Sequence, residues 1–96
     1  MIVGFGNRLA EDLWGDKSSR AVRQFPPELR RIARRKLLYL NDAEHLKDLR
    51  APPGNRLEAL KGDWKGHHSI RINIQWRIVF RWEQGQAFDV QVIDYH

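Results

Sequence analysis

The chain has 96 residues, of which 42% are hydrophobic and 30% charged, and its formal net charge is +5 at pH 7. This length fits one domain, residues 1–96, and this balance excludes a disordered chain. The lack of cysteine excludes disulfides and thiolate chemistry, and the four histidines have no spacing that predicts a metal site. A basic chain is attracted to polyanions, but charge alone does not choose among nucleic acid, an acidic protein and an anionic membrane surface.

No apolar run approaches the length that crosses a bilayer. Residues 1–6 also lack the basic start and the apolar core of a signal peptide. We therefore expect a cytoplasmic protein that has no membrane partner.

The sequence pattern of the N-terminal half predicts a strand followed by two helices. Residues 1–6 are apolar enough for a short strand, and residues 7–16 form a short helix before the turn-rich residues 15–19. Pro26-Pro27 begins a long helix, because proline suits a first turn in which the backbone N–H is unpaired anyway, and Asn41-Asp42 ends it. Its expected buried face consists of Leu29, Ile32, Ala33, Leu37 and Leu40.

Basic residues occupy most of the remaining surface of this long helix. They are Arg30, Arg31, Arg34, Arg35 and Lys36. Such a face is usually solvated, and we favour that interpretation for most of these charges. The functional interpretation is electrostatic docking to RNA, which would depend strongly on salt.

From residue 56 onward the hydrophobic period changes to two, which predicts strands. Residues 43–55 look irregular, residues 56–60 form a short strand, and residues 83–86 form a hairpin loop. The side chains expected on the buried face are Ile70, Ile72, Ile74, Trp76, Ile78, Phe80, Trp82, Phe88, Val90 and Val92. The fold class is therefore α+β, with a twisted, mainly antiparallel sheet and the N-terminal helices packed on one of its faces.

The outward face of this sheet carries the side chains that are suited to chemistry. Alternation places Arg71 and Asn73 on one strand and Arg77 and Arg81 on the next, with Lys61 at the end of the preceding strand and Asp94-Tyr95-His96 after the last. If neighbouring strands pair, these groups converge on one cationic surface that also holds an imidazole and a phenol.

Such a set suits RNA cleavage without a metal or other cofactor. The ribose 2′-OH must lose a proton and attack the adjacent phosphorus, and the 5′-oxygen must leave. Arginine and lysine stabilise the charge that develops on the phosphate, and a group such as His96 that titrates near neutrality moves the protons. Aromatic rings stack on the splayed bases of single-stranded RNA.

Each of these residues also has an interpretation that involves no chemistry. A single arginine on a sheet usually serves solubility, and a C-terminal histidine is usually inert. His67-His68 is expected in a loop rather than in a site. Trp64 is the one tryptophan expected to be exposed, and it either stacks on a base or covers the core.

Three stretches resemble the HigB toxins of the RelE/ParE superfamily, in particular the GraT-like members. They are residues 49–62 (LRAPPGNRLEALKG), 68–80 (HSIRINIQWRIVF) and 93–96 (IDYH). The resemblance implies a RelE-like, microbial-RNase-like fold and cleavage of mRNA in the ribosomal A site without a metal. It also implies a HigA-type helix-turn-helix antitoxin, through which alone the chain would contact operon DNA.

The resemblance also assigns roles to individual residues. Lys61 and Arg77 would stabilise charge on the phosphate, and Arg71 would hold the RNA backbone. His96 would act as general acid or base beside Asp94, within the terminal motif that also includes Tyr95. Where some HigB toxins have a histidine three residues before the lysine, this chain has Glu58, which is either a base or a surface residue. Glu58 also belongs to the set expected to contact RNA, and so do Asn73 and Arg81, which strand alternation rather than the resemblance places on the outer face.

Two other functions remain open. A ParE-like protein shares this fold but poisons DNA gyrase, and such proteins typically lack the terminal Asp-Tyr-His. A non-catalytic module that binds RNA or the ribosome would keep the basic surface, and replacing His96 would then leave growth inhibition unchanged. A DNA-binding domain is disfavoured because no helix-turn-helix pattern is visible.

Overall fold

The structure is a computed structural model that describes residues 1–95, so His96 lies outside the described residues. The helices are α1 (Arg8–Trp14), α2 (Arg20–Gln24) and α3 (Pro27–Asp42), and the strands are β1 (Glu58–Ala59), β2 (His67–Arg71), β3 (Trp76–Glu83) and β4 (Gln86–Asp94). Short 3-10 helices span Leu46–Arg50, Pro53–Asn55 and Gly62–Trp64. This order confirms the predicted α+β class.

The four strands form one antiparallel sheet in the order β1-β2-β3-β4. The N-terminal segment runs parallel to β4, but it pairs only through isolated bridges at Ile2 and Phe5 rather than as the continuous strand expected over residues 1–6. The helices and the buried side chains of the sheet share one core. We call the opposite surface of the sheet the outer face.

Helix α1 is tied directly to the sheet by its N-cap. The Asn7 side chain accepts a hydrogen bond from the backbone N–H of Ala10 at 3.0 Å and donates one to the carbonyl of Val92 at 2.9 Å. Helix α2 was not predicted, because its five residues are too few to show a hydrophobic period. It begins at a Ser19 cap, and only Val22 in it is buried.

Helix α3 has the predicted bounds, and four of its five expected core residues are buried. These are Leu29, Ala33, Leu37 and Leu40. The prediction for Ile32 was wrong, because this side chain is 37% exposed. Lys36 also departs from the solvated basic face, since its ammonium donates to the Asn55 side chain at 2.6 Å. Burial, followed by the charge of Arg35, lowers the pKa of Lys36.

Two predicted core positions of the sheet were wrong. Ile74 is 86% exposed, because β2 ends at Arg71 and Ile74 lies in the turn that follows. Phe88 lies on the outer face, because β4 contains a bulge: Val79 pairs with Gln91, whereas Arg81 pairs with Phe88. One extra residue in β4 reverses the alternation, and Ala87 takes the buried position instead.

Asn55 fastens the irregular segment between α3 and the sheet. It is completely buried, its amide donates to the carbonyls of Leu49 and Ala51 at 3.2 Å each, and its oxygen accepts from Lys36. Buried backbone carbonyls need a partner, and here one side chain supplies it for two of them. Asn55 therefore stabilises the chain that leads into β1.

We expect Asn55→Ala to lower the free energy of unfolding by roughly 2–4 kcal/mol, because it leaves two carbonyls and an ammonium without their partner. Urea denaturation measures this difference. Gln24→Ala, at an exposed position of α2, is the matched control and should change stability little. Equal stability of the two variants would contradict the role given to Asn55.

Candidate active site on the outer face of the sheet

Arg77 is the most firmly held cation on the outer face. It lies on β3, and its guanidinium donates to the Ser69 hydroxyl at 2.8 Å, to a Glu58 carboxylate oxygen at 3.0 Å and to the Arg56 carbonyl at 3.4 Å. Its side chain is only 14% exposed. Three acceptors from two neighbouring segments therefore fix the direction in which Arg77 points.

The ion pair between Arg77 and Glu58 orients the arginine more than it stabilises the fold. Glu58 is 52% exposed, and surface ion pairs contribute only about 0–1 kcal/mol. Ser69, by contrast, is completely buried beside Arg77. Sequence analysis missed Ser69, because only the β2–β3 register brings this small polar residue against the guanidinium.

Tyr95, a residue of the terminal motif, lies near Arg77. The Arg77 guanidinium carbon lies 5.8 Å from the centre of the Tyr95 ring. The Tyr95 backbone N–H donates to the carbonyl of Gln75 at 2.8 Å, which ties the chain after β4 to the turn before β3. The phenol and the guanidinium thus share one surface.

Asp94 lies on the other side of the sheet from Arg77. It pairs in register with Trp76, a residue of the helix side, and its carboxylate accepts from the Gln75 amide at 2.9 Å. This register places Asp94 on the helix side of the sheet, whereas Arg77 lies on the outer face. His96, the other member of the terminal set, lies outside the described residues.

Of the other predicted cations, Lys61 follows β1 near the His67 end of β2, and Arg71 lies at the opposite end of β2, beside Arg77. Arg71 pairs with it in register across β2 and β3, and both residues are half-buried. Lys61 is exposed and directly precedes the 3-10 helix Gly62–Trp64. Because the neighbouring charges of Arg71 and Arg77 raise the local positive potential, the part of the face around them is suited to an anion.

Asn73 and Arg81 do not join the Arg77 cluster. Asn73 lies in the β2–β3 turn, where its side chain accepts from the backbone N–H groups of Gln75 at 2.9 Å and Trp76 at 2.7 Å, so its predicted outward position on a strand was wrong. Arg81 does face outward, but it contacts Glu83 at 3.1 Å and the Phe88 ring at 5.6 Å.

A histidine–carboxylate pair on the outer face was also missed. His67 begins β2 rather than lying in a loop, and its Nε2 lies 3.1 Å from the Asp89 carboxylate on β4. This pair crosses β3, where the outward-pointing Val79 is completely buried. No sequence signal could pair them, because Asp89 occupies the bulge with a left-handed φ of 54°.

His68 points to the opposite side of the sheet. It lines a groove of about 370 Å³ together with Leu46, Lys47, Arg50, Leu57 and Ala59. Its ring stacks on Phe80 at 6.3 Å between centroids, and its Nδ1 is buried without a partner among the described residues. Burial lowers the pKa of His68 from its ordinary value of 6.5.

The lowered pKa of His68 predicts a pH-dependent stability. The fold prefers the neutral ring, so protonation favours the unfolded chain, and stability should fall as pH drops through 6.5. We expect His68→Phe to weaken this decline in melting temperature from about pH 7.5 to about 5.5. His45→Gln, which changes an exposed histidine, is the control and should keep the decline. Identical slopes in all three proteins would contradict the assignment.

Two absences hold for residues 1–95. No three histidine or acidic side chains cluster closely enough there to hold a metal ion. No helix in the same range is long and apolar enough to cross a membrane.

The fold is that of small bacterial toxins found in complex with an antitoxin. The chain superposes on a "YoeB-YefM complex from Staphylococcus aureus" with a TM-score of 0.57 and 15% identity, covering 100% of this chain and 98% of the other. A second structure, a heterotetrameric YoeB-YefM complex from the same organism, gives a TM-score of 0.54 at 18% identity and the same coverage. At these identities the likeness establishes the fold alone.

Sequence comparison establishes the family. Residues 5–96 match the HigB-like toxin family, described as the RelE-like toxin of the type II toxin-antitoxin system HigB. Toxin HigB-1 of Vibrio cholerae is 38% identical over 89 residues, which cover 93% of this chain and 92% of that protein. Endoribonuclease HigB of Proteus vulgaris is 42% identical over 41 residues, 43% of this chain and 45% of the relative. The chain belongs to the HigB-like family of type II toxins.

Proposed function

We propose that this toxin is an endoribonuclease that cleaves mRNA in the A site of the ribosome, without a metal, and thereby arrests translation and growth in the cytoplasm. The observation that carries the proposal is the guanidinium of Arg77, which Ser69 and Glu58 hold against the Tyr95 ring on a cationic surface. The name of the Proteus vulgaris relative, Endoribonuclease HigB, supports the same chemistry.

In the proposed reaction the ribose 2′-OH loses a proton and attacks the neighbouring phosphorus. The P–O bond to the 5′-oxygen breaks, and that oxygen takes up a proton as it leaves. Arg77 donates to the phosphate oxygens, where negative charge grows in the transition state, because fixed donors stabilise such charge without reorganising. Lys61 adds a second positive charge, and Arg71 holds the backbone of the bound RNA.

Proton transfer falls to the end of the chain in this proposal. His96 is the general acid or base, since an imidazole titrates near neutral pH. Tyr95, the residue before His96 in the sequence, lies beside Arg77 and offers a phenol to the same phosphate. Asp94 orients the terminal segment through the Gln75 amide rather than from within the Arg77 cluster.

Glu58 has a clear structural place in this scheme. Its carboxylate contacts Arg77 at 3.0 Å, so it acts first as the partner that aims the arginine. A bound phosphate would compete with Glu58 for the same guanidinium, since both are oxygen acceptors of a bidentate donor. We therefore assign Glu58 to positioning and not to proton transfer.

The partner of the toxin in this proposal is a HigA-type helix-turn-helix antitoxin. The family is defined by toxin–antitoxin systems, and the structures of similar fold are toxin–antitoxin complexes. The antitoxin would neutralise the toxin and bind the operon DNA, so that this chain itself makes no DNA contact.

Primer extension on a reporter mRNA tests the proposal, with purified protein in the presence and absence of translating ribosomes. We expect cuts only when the message is translated, at one phase within codons. Deleting His96 should abolish the cuts and leave the circular dichroism spectrum unchanged. If the protein arrests growth but cuts in neither condition, gyrase poisoning or blockade of the ribosome without chemistry replaces this proposal.

A further inference from the structure

The outer face carries a second group of side chains beyond the Arg77 cluster. We call it the Arg81 patch, and its members are Trp64, His67, Arg81, Phe88 and Asp89. The register places His67, Arg81 and Phe88 in one row across β2, β3 and β4. None of these residues has a role in the reaction proposed above, although Arg81 belongs to the set that the sequence predicts to contact RNA.

Phe88 occupies an unusual place for a phenylalanine. The bulge in β4 turns it away from the core, and it lies half-buried on the polar side of the sheet. Complete burial of a phenylalanine stabilises a fold, so the outward position gives up part of that stabilisation. The ring lies instead 5.6 Å from the guanidinium carbon of Arg81, with an aromatic surface beside a cation.

Within this patch, His67 and Asp89 are held in place by several contacts. Asp89 also lies 3.4 Å from the Gln91 amide, which donates to it, and the Trp64 ring meets the His67 ring edge-on at 5.2 Å. Gly6 approaches so closely that a Cβ there would collide with the Asp89 carboxylate. The half-buried Trp64 is thus braced against β2, and Asp89 is confined on three sides.

Arg81 is held loosely enough to bind a ligand. Its partner Glu83 is 61% exposed and Arg81 itself 42% exposed, and ion pairs of this kind contribute little. Arg77 and Arg81 are four residues apart on β3, about 13 Å along the strand. Arg77 points toward β1 and β2, where it contacts Glu58 and Ser69, whereas Arg81 points toward β4, where it lies over the Phe88 ring. The two cations are therefore directed at different points of the outer face.

We propose that the Arg81 patch binds a nucleotide of single-stranded RNA that flanks the cleaved position. The base stacks on Phe88 or Trp64, and Arg81 contacts the phosphate. Aromatic rings interleaved with cations are how proteins hold single strands without reading their sequence. An acidic peptide would use the cation but not the half-buried rings of Phe88 and Trp64. This inference rests on the proposed function and extends the site by a second, non-catalytic position.

An NMR titration tests the patch on the whole protein. The probe is a tetranucleotide RNA whose riboses are 2′-O-methylated, so that it cannot be cleaved. We expect the Trp64 indole N–H and the amides of Phe88 and Asp89 to shift together with those around Arg77. Phe88→Ala should weaken binding about tenfold, the loss expected when one stacked base loses its ring. Trp64→Ala, at the end of the 3-10 helix Gly62–Trp64, serves if Phe88→Ala does not fold.

Trp14→Ala is the matched control, because Trp14 is a 36% exposed aromatic residue on helix α1 and belongs to neither cluster. Its affinity for the tetranucleotide should equal that of the wild type. Two results would overturn the inference and leave the proposed function standing. One is a set of shifts confined to Arg77 and Tyr95. The other is equal affinity of the three variants Phe88→Ala, Trp64→Ala and Trp14→Ala for the tetranucleotide.

Two other results separate the two proposals. If the protein cuts translated mRNA but the tetranucleotide shifts no resonance, only the Arg81 patch is refuted. If it neither binds the tetranucleotide nor cuts translated mRNA, the proposed function fails and the inference fails with it. Shifts in the patch caused by the antitoxin and not by RNA would assign the surface to the antitoxin and overturn the inference.

Discussion

Arg77→Ala is expected to reduce mRNA cleavage by about 100- to 1,000-fold, the effect of removing one fixed donor from a site where negative charge develops. The wild-type guanidinium is held by Ser69 and Glu58, so it meets the phosphate without first losing conformational freedom. Arg77→Lys should recover only a small part of the activity. An ammonium supplies the charge but not the paired, planar donors.

The rate of cleavage in a translation reaction measures this loss. The matched control is Arg31→Ala, which removes an exposed arginine from helix α3 on the other side of the sheet. The control should cut at nearly the wild-type rate. If Arg77→Ala keeps wild-type activity with an unchanged circular dichroism spectrum, the catalytic assignment is wrong.

Leu37→Asp is expected to unfold the protein. Leu37 has no exposed surface and lies in the core between α3 and the sheet. Truncating a buried leucine to alanine already costs about 2–5 kcal/mol, and a buried carboxylate without a partner adds a further penalty. Small domains have only about 5–15 kcal/mol of stability in total.

The neighbouring residue provides the control for this prediction. Leu38 is 47% exposed, so Leu38→Asp places the same carboxylate in solvent one position along the same helix. Thermal unfolding followed by circular dichroism should show a cooperative transition for Leu38→Asp and none for Leu37→Asp. A cooperative transition close to wild type in Leu37→Asp would mean that α3 buries a different face.

The helical layer was largely predictable, because its signals are local. The Pro26-Pro27 start of α3 and the spacing of Leu29, Leu37 and Leu40 all act within one or two turns of chain. Helix α2 escaped prediction since it is shorter than the window in which a period can be recognised. Ile32 was wrongly predicted to be buried because its spacing puts it at the edge of the apolar face of α3. How far the buried face extends around the helix depends on the sheet that packs against it.

The candidate site was predictable in part. Alternation correctly placed Arg71, Arg77 and Arg81 on the outer face, because in a strand the period of two is independent of the partner. It failed for Asn73, whose side chain closes a turn at the end of the strand. It also failed at Phe88, since a bulge adds one residue to one strand and every side chain beyond it changes face.

The sequence by itself therefore determined the class of fold, the basic surface and the family, through composition, periodicity and three extended motifs. Only the tertiary structure decided which side chains meet. The contacts of Arg77 with Ser69 and Glu58, and of His67 with Asp89, join residues 8, 19 and 22 positions apart. Such contacts depend on strand register and on a backbone bulge, which arise from pairing between distant segments and leave no mark in local spacing.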